Sequence, residues 1–200
     1  MFDPTEGLQA LLLCLCWPFL GYEEAAVPVV MDGHRTSWFR ASRALKRIPD
    51  HCERMDRVHS LDLKLGACRL KRDSMGVFDV GFLHCWVSGR SQLEAAMHLP
   101  VLPSLAIRCS GSRRLLVWLL RERTGLAIEL NRRLSYAVGG VQKESDPEKL
   151  WIPVPGSYER LGRRTPSRVD VSRVSLEDFT AGEVVSGLRE VPDRNAWRNR

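Results

Sequence analysis

The sequence of 200 residues predicts an α+β fold with a single packed domain. Short apolar runs with alternating polarity, typical of strands, are interleaved with stretches whose apolar residues recur at helical spacing. Hydrophobic residues make up 44% of the chain and charged residues 27%, which is ordinary for a globular protein and excludes wholesale disorder. The order of these segments predicts the architecture.

The first apolar segment, Leu8–Leu20, is predicted to be a buried helix that packs on the domain. It lacks the basic residues that open a signal peptide, and Pro18 interrupts it. It is also shorter than the roughly 20 residues that a membrane-spanning helix needs. We therefore expect a cytoplasmic protein with no membrane partner.

The next three segments are predicted to be strand, helix and strand. Ala25–Met31 has the composition of a strand. Ser37–Ile48 has helical spacing with Trp38 on its apolar face, and Pro49 is predicted to end this helix. Val58–Leu65 then alternates in polarity as a strand does.

The middle of the chain predicts an irregular strand segment, a helix and a hairpin. Val77–Val87 indicates one bent strand or two short ones. A capping-box pattern that begins at Ser91 opens a helix, which ends by Pro100. Leu105–Cys109 and Arg114–Leu120 are typical of two strands joined by a tight turn.

The last segments complete a known arrangement. A helical stripe runs from Leu126 to Val138 and ends at Gly139–Gly140, and Leu150–Val154 is a further strand. From Val58 onward the order is strand, helix, two strands, helix and strand, with residues 77–87 inserted in the first crossover. This order predicts a ferredoxin-like split βαβ core with an added amino-terminal segment of helix and strand.

Residues 1–175 are predicted to form the single domain, and residues 176–200 a carboxyl-terminal helix and a tail or linker. An arginine-rich stretch from Arg160 to Arg173 precedes this tail. A second capping-box pattern, at Ser175 and Asp178, predicts the start of the last helix.

Charge and cysteine usage limit the classes of function. The formal net charge of +6 makes nucleic acid the leading class of partner. The six cysteines include no CxxC pair and match no common zinc spacing, which disfavours both a secreted disulfide scaffold and a zinc site. The five histidines lack a nucleophile elbow or a recognisable partner motif, which disfavours a small hydrolase or transferase.

Three stretches, found in one order, carry a resemblance to a known family. Ser60–Lys64 (SLDLK) is similar to an Asp-x-Asp strand motif followed by an apolar residue and lysine. Ser110–Trp118 is similar to a glycine turn that leads into a histidine strand. Asp146, followed by Trp151–Ser157, is similar to a lone acidic residue before a strand ending in Arg-x-Pro-Gly-Thr. Residues 25–175 thus resemble the archaeo-eukaryotic-type primase-polymerase superfamily of phages and plasmids.

The resemblance implies an RRM-like catalytic core that performs nucleotidyl transfer with two divalent ions, Mg²⁺ or Mn²⁺. It implies that Asp62 and Asp146 are catalytic and hold these metals. It also implies that Lys64, Ser110 and Gly111 bind the nucleotide.

The sequence departs from the family pattern at three positions. The first aspartate falls on Ser60, the histidine on Leu115 and the arginine on Pro153. A hydroxyl is a poorer ligand for Mg²⁺ than a carboxylate, and leucine cannot donate a hydrogen bond to a phosphate. We therefore predict a nucleic-acid-binding protein of DNA replication, from a mobile element, whose nucleotidyl transfer is weak or lost.

DNA, as a single strand or a template–primer, is the predicted partner, together with a helicase or another replication protein. Arginines near the motif turns are predicted to contact phosphates. They are Arg113, Arg114, Arg160, Arg163, Arg164 and Arg168.

Some of these residues have a structural alternative. Asp146 lies in the sequence SDPEK, where an aspartate commonly caps a turn. Trp118 and Trp151 are expected in the core rather than as stacking platforms for bases. The alternative function is a non-catalytic RRM-like subunit that binds single strands, or partner proteins, beside a helicase or polymerase.

Overall fold

The computed structural model describes residues 4–31, 36–55, 62–70, 79–140, 142–159 and 167–188, which form helices and antiparallel sheets. The helices are α1 (Pro4–Cys16), α2 (Ala41–Met55), α3 (Arg90–Met97), α4 (Ala127–Ala137) and α5 (Ala181–Val185). The strands are β1 (Ala25–Met31), β2 (Ser37–Arg40), β3 (Leu63–Gly66), β4 (Arg69–Leu70), β5 (Val80–Ser88), β6 (Leu105–Arg108), β7 (Arg113–Thr124), β8 (Trp151–Pro153), β9 (Tyr158–Glu159), β10 (Ser167–Arg168) and β11 (Asp170–Val174). The predicted α+β class is confirmed.

The first sheet, the amino-terminal sheet, has the order β2-β1-β3-β8, and β4 also pairs with β1. Every pairing in it is antiparallel. Alternate residues such as Val27, Leu65 and Ile152 are fully buried, and α2 packs against β1 and β2. The residues that alternate with these buried ones along each strand point to the opposite face of the sheet.

The second sheet, the carboxyl-terminal sheet, has the order β11-β6-β7-β5. Strands β5 and β6 both run antiparallel to β7, which lies between them, and α3 connects them. A split βαβ unit of β5, α3 and β6 is therefore present, but β11 pairs with β6, whereas the ferredoxin-like order places the fourth strand beside the first. The prediction that Val58–Leu65 and Leu150–Val154 are its first and last strands is wrong, because β3 and β8 pair with each other in the amino-terminal sheet and β5 and β11 take these places.

Helix α1 packs against both halves of the fold, as predicted for a buried helix. It contacts α2 on one side and strands β5, β7 and β11 on the other. Leu11, Leu12 and Leu15 are fully buried there. The backbone comes so near β11 at Gly7 that a Cβ atom would lie 2.5 Å from Cγ2 of Val171. No helix in the described ranges combines the length and apolarity needed to cross a membrane.

The segment predicted as one helix from Ser37 to Ile48 is wrong at both ends. Residues 37–40 form strand β2, because they pair with β1, and Trp38 therefore does not lie on a helical core face. Helix α2 continues through Pro49, which removes one backbone hydrogen bond. The burial of Ala44 and Ile48 on the same helix offsets this loss.

Both capping-box predictions are wrong in position. Helix α3 begins after Gly89, which makes no side-chain cap, and Ser91 lies inside it. Helix α5 begins after Thr180, whose side chain forms a reciprocal capping box with Glu183. The chain stays extended before Thr180 because the backbone of Phe179 bonds to Leu119 and Arg121 of β7.

The cysteines behave as core residues. Cys14, Cys16, Cys68, Cys85 and Cys109 are free and buried, and the side chain of Cys52 lies outside the described residues. Burial raises the pKa of Cys14 and Cys85 to about 12, so both remain protonated thiols near neutral pH. A protonated thiol is a weak nucleophile, which agrees with the disfavoured thiol chemistry.

Candidate functional site

The turn between β6 and β7 contains the predicted nucleotide-binding residues Ser110 and Gly111. The backbone nitrogen of Arg113 donates to Ser110 O at 3.3 Å, which closes the turn. Gly111 has a φ of 64°, in the left-handed region that favours glycine. The conformation of this turn therefore accounts for the Ser-Gly sequence independently of any ligand.

A buried carboxylate that the sequence did not indicate lies beside this turn. Glu159 on β9 is buried, and its Oε2 accepts a hydrogen bond from Ser110 N at 2.9 Å. The Oγ of Ser110 is buried and forms no hydrogen bond within the described part of the chain. Glu159 stands alone in the sequence SYER, so no spacing pattern could have identified it.

Asp62 and Lys64 lie at the start of β3 on one face of the amino-terminal sheet. Their side chains form an ion pair, with 3.3 Å between Lys64 Nζ and Asp62 Oδ2. Burial and, to a smaller extent, nearby Glu159 raise the pKa of Cys109 to about 12, while Arg113 and Lys64 oppose the rise. Cys109, the residue before Ser110, thus lies within electrostatic reach of both Lys64 and Glu159.

Asp146 performs the structural role that its sequence context suggested as the alternative. Its Oδ1 accepts from Glu148 N at 3.0 Å and caps the short turn Pro147–Lys149. Its Oδ2 lies 3.1 Å from Lys149 Nζ. Strands β3 and β8 are antiparallel, and the end of β3 at Gly66 pairs with the start of β8 at Trp151. Asp62 precedes β3 and Asp146 precedes β8, so the chain approaches this pair of strands from opposite ends at the two aspartates.

The described donor atoms do not fit a two-metal centre. No three His, Cys, Asp or Glu side chains in the described ranges are grouped so that they could hold a metal ion. Asp62 and Asp146 each pair with a lysine, and Ser60 lies outside the described residues. The assignment of Mg²⁺ or Mn²⁺ to these aspartates stays a prediction.

A fully buried histidine connects β5 to α4 and to the loop before Asp146. Asn131 Nδ2 donates to His84 Nδ1 at 2.9 Å, so His84 Nε2 carries the proton and donates to Glu144 O at 3.0 Å. Asn131 also accepts from His84 N at 2.8 Å and donates to Ser145 O at 3.0 Å. Burial lowers the pKa of His84 to about 4, so the ring is neutral near pH 7. This histidine was not among the predicted site residues.

Arg113 continues this packed region toward the turn. Its guanidinium lies 3.9 Å from the centre of the Trp86 ring, and its Nη2 donates to Glu144 Oε2 at 2.6 Å. Trp86 pairs with Leu115 across the strands. The side chains of β5 that share the face of Arg113 therefore include His84 and Trp86, and neither is a carboxylate.

The other predicted arginines divide into two groups. Arg114 Nη1 donates to Ser112 O at 3.3 Å, and Arg168 Nε lies 3.9 Å from Asp170 Oδ1. The other three predicted arginines, Arg160, Arg163 and Arg164, lie outside the described residues. A role of these side chains in phosphate contact stays a prediction.

The two tryptophans expected in the core have different environments. Trp118 is fully buried, and its Nε1 donates to Val101 O at 3.0 Å, so this prediction is confirmed. Trp151 is 38% exposed on the amino-terminal sheet, so the prediction for it is wrong. Trp151 points to the opposite face from its buried neighbour Ile152, because the two alternate along β8.

Comparisons with known proteins show where this fold occurs. No model of a known protein family matches the chain, and no curated protein does. The AEP domain of the primase-polymerase of cyanophage S-2L superposes with a TM-score of 0.58 and 13% identity, over 92% of this chain and 98% of that one. The primase RepB′ superposes with a TM-score of 0.61 and 14% identity, over 90% of this chain.

The chain spans 59% of that RepB′ structure. The catalytic domain of RepB′ in complex with initiator DNA superposes with a TM-score of 0.58 and 16% identity, over 90% of each chain. At these identities, the likeness shows the fold. The chain thus has the fold of archaeo-eukaryotic-type primase-polymerase domains, as the resemblance implied.

Proposed function

We propose that this chain is a primase-polymerase-like protein of DNA replication that binds DNA and has weak or no nucleotidyl transfer. The fold it shares with a cyanophage primase-polymerase and with a primase solved in complex with initiator DNA supports this proposal. The net charge of +6 favours binding to a phosphate backbone.

The proposal of reduced catalysis depends on the side chains available to hold divalent cations. Asp62 and Asp146, the predicted metal ligands, each pair with a lysine, and Asp146 also caps a turn. Two divalent cations need several oxygen ligands, and carboxylates are the ligands that neutralise their charge. The described ranges contain no group of three His, Cys, Asp or Glu side chains that could hold such an ion. The motifs also favour reduced catalysis, because their first aspartate, histidine and arginine are replaced by Ser60, Leu115 and Pro153.

Two measurements on the same preparation test the proposal. The first is the affinity for labelled single strands and for template–primer DNA at two salt concentrations, and we expect binding that weakens with salt. The second is primer extension with Mg²⁺ or Mn²⁺, beside an Asp62→Ala control, and we expect little or no product. Robust extension that Asp62→Ala abolishes would contradict the loss of catalysis. Absence of any DNA binding would contradict the proposal as a whole.

A second candidate is a wholly non-catalytic subunit that binds single strands, or partner proteins, beside a helicase or polymerase. The exposed Trp38 and Trp151 on the amino-terminal sheet favour it, because exposed aromatic rings are typical platforms for unpaired bases. Slow but measurable extension that depends on Asp62 would favour the first candidate. Its complete absence with both metals would favour the second.

A further inference from the structure

The carboxylate of Glu159 occupies a closed position beside the turn between β6 and β7. The residue is 5% exposed, and its Oε2 accepts a hydrogen bond from Ser110 N at 2.9 Å. A buried carboxylate costs free energy unless hydrogen-bond donors or cations compensate it. The groups around Glu159 therefore indicate which kind of ligand this position suits.

The turn offers hydrogen-bond donors to an anion. Ser110 N donates to the carboxylate, whereas Ser110 Oγ is buried and has no hydrogen-bond partner in the described part of the chain. Gly111 has a φ of 64°, and backbone N–H groups beside a left-handed residue can converge into a concave anion site. The described contacts of Glu159 thus use the amide of Ser110 and leave its hydroxyl available.

Two cations lie near the same turn. Lys64 on β3 and Arg113 on β7 both oppose the rise in the pKa of Cys109 that burial and Glu159 cause. Cys109 immediately precedes Ser110, so the turn lies where the amino-terminal and carboxyl-terminal sheets approach each other. Backbone N–H groups, hydroxyls and cationic side chains are the groups with which proteins bind phosphate.

The charges near the turn nevertheless disfavour a second anion. Lys64 pairs with Asp62 at 3.3 Å, and Arg113 pairs with Glu144 at 2.6 Å. Each cation is thus balanced by one carboxylate. Glu159 forms no ion pair with a described residue, so it adds a negative charge that these pairs do not neutralise.

We propose that Glu159 is an internal anion that occupies the position of a terminal nucleotide phosphate at the Ser110–Gly111 turn and keeps nucleotides from binding there. Its carboxylate takes the hydrogen bond from Ser110 N that a phosphate oxygen would accept, and its charge repels a second anion. The position is buried, so it fits the free end of a triphosphate. A phosphate within a DNA strand carries a sugar on both sides and needs an open groove.

The inference deepens the proposed function, because it gives a reason for weak or absent nucleotidyl transfer. It rests on that function for the identity of the ligand as a nucleotide. The alternative role of Glu159 is a structural contact that fastens β9 to the turn. Loss of such a contact would weaken binding at the turn, whereas loss of an internal anion would strengthen it.

Calorimetric titration with inorganic triphosphate, without added metal ion, measures this sign. Glu159→Gln keeps the length of the side chain and an oxygen that accepts from Ser110 N, but it removes the charge. We expect this variant to bind triphosphate about tenfold or more tightly than the wild type, because a like charge a few ångströms away is removed. Glu159→Ala also opens the space of the carboxylate and is expected to gain at least as much. Unchanged or weaker binding in both variants would overturn the proposal.

Glu122→Gln is the matched control, because it makes the same change in net charge. Glu122 is exposed and lies at the far end of β7 from Arg113, about 30 Å along the strand. We expect its affinity for triphosphate to equal that of the wild type. A gain equal to that of Glu159→Gln would mean that net charge alone sets the affinity, and it would overturn the role of Glu159.

A second substitution tests whether the gained binding lies at the turn. Ser110→Ala in the Glu159→Gln background removes the hydroxyl that has no described partner, and we expect it to lower the affinity for triphosphate about tenfold. Unchanged affinity would place the gained binding elsewhere and overturn the proposal.

One measurement uses the wild type and needs no variant to fold. In a heteronuclear NMR spectrum, the amide resonance of Ser110 is expected to stay in place when triphosphate is added, because Glu159 holds this N–H group. A shift of this resonance that saturates with triphosphate would show that the position is open, and it would overturn the proposal.

The outcomes separate this inference from the proposed function, because the triphosphate titrations contain no DNA. DNA binding by the wild type, without a gain of triphosphate affinity in either Glu159 variant, overturns this inference and leaves the proposed function intact. A gain in a protein that binds no DNA overturns the proposed function and leaves Glu159 as an internal anion at a phosphate position. A gain for a single-stranded oligonucleotide but not for triphosphate would overturn the assignment to a terminal phosphate.

Discussion

The two sheets of this protein differ in how far their polar and aromatic side chains are exposed to solvent. Around His84 in the carboxyl-terminal sheet, every nitrogen of the ring is hydrogen-bonded and the side chain is inaccessible to solvent. On the opposite face of the amino-terminal sheet from its buried side chains, Trp38 is 50% exposed and Trp151 is 38% exposed. The comparison teaches that the first region stabilises the fold, whereas the second keeps large aromatic side chains in contact with solvent.

Among the polar side chains, the largest expected effect on stability is in the buried network of His84 and Asn131. Asn131→Ala removes three hydrogen bonds to His84 and Ser145 and leaves buried polar groups without partners. We expect the free energy of unfolding in urea to fall by about 3 kcal/mol. Arg132→Ala, at the next position, is exposed and is expected to change it by less than about 0.5 kcal/mol. Similar values for the two variants would contradict the structural role of the network.

The pH dependence of stability sharpens the same comparison. The pKa of His84 is about 4 in the folded protein, below the value of 6.5 expected when the chain is unfolded. Between these values, the unfolded state binds a proton that the folded state does not, so stability falls as pH falls. We expect the wild type to lose about 2 kcal/mol more than His84→Gln between pH 7 and pH 5. Parallel pH profiles of unfolding for the two proteins would contradict a buried neutral His84.

A smaller effect is expected at Arg113, which lies between the buried network and the solvent. Arg113→Ala removes a half-buried ion pair with Glu144 and a contact with the Trp86 ring. After allowance for solvent screening, we expect a loss of about 1 kcal/mol in urea unfolding. Arg90→Ala breaks a fully solvated pair with Glu94 on α3 and is expected to cost less. A larger loss of stability for Arg90→Ala than for Arg113→Ala would mean that Arg113 contributes no more than a solvated surface residue.

The smallest effect on stability is expected on the outer face of the amino-terminal sheet. Trp38→Ala is expected to lower the free energy of unfolding by less than about 1 kcal/mol, because half of the side chain is already exposed. Trp118→Ala removes the same side chain from the core and should cost about 4 kcal/mol. Thermal or urea unfolding of the two variants measures this contrast. Equal losses would mean that Trp38 is a core residue.

Local patterns predicted the elements well where hydrophobic periodicity is long. The buried helix at residues 8–20, the hairpin at residues 105–120 and the helix that ends at Gly139 all appear close to their predicted positions. The patterns failed at Ser37–Arg40, where apolar spacing fits a helix but pairing with β1 makes a strand. They also failed for both capping boxes, because Ser91 lies inside α3 and Ser175 lies in the extended segment before Thr180.

The candidate site was less predictable than the fold. The sequence motifs indicated the turn at Ser110 and the region of Asp62 and Lys64, and Lys64 acts electrostatically on Cys109, the residue before Ser110. Glu159 and His84 are both buried and hydrogen-bonded, yet neither has a neighbouring residue in the sequence that marks it. Their partners lie 47 or more positions away along the chain.

The sequence by itself determined the class of the fold, the excess of positive charge and the loss of an acidic pattern in the motifs. Only the tertiary structure decided that β3 and β5 belong to different sheets, that Asp146 caps a turn and that Trp151 is exposed while Trp118 is buried. The physical reason is that periodicity reports how one segment divides into faces. Which face meets the core depends on strand pairing between residues distant in sequence, and local composition does not encode that pairing.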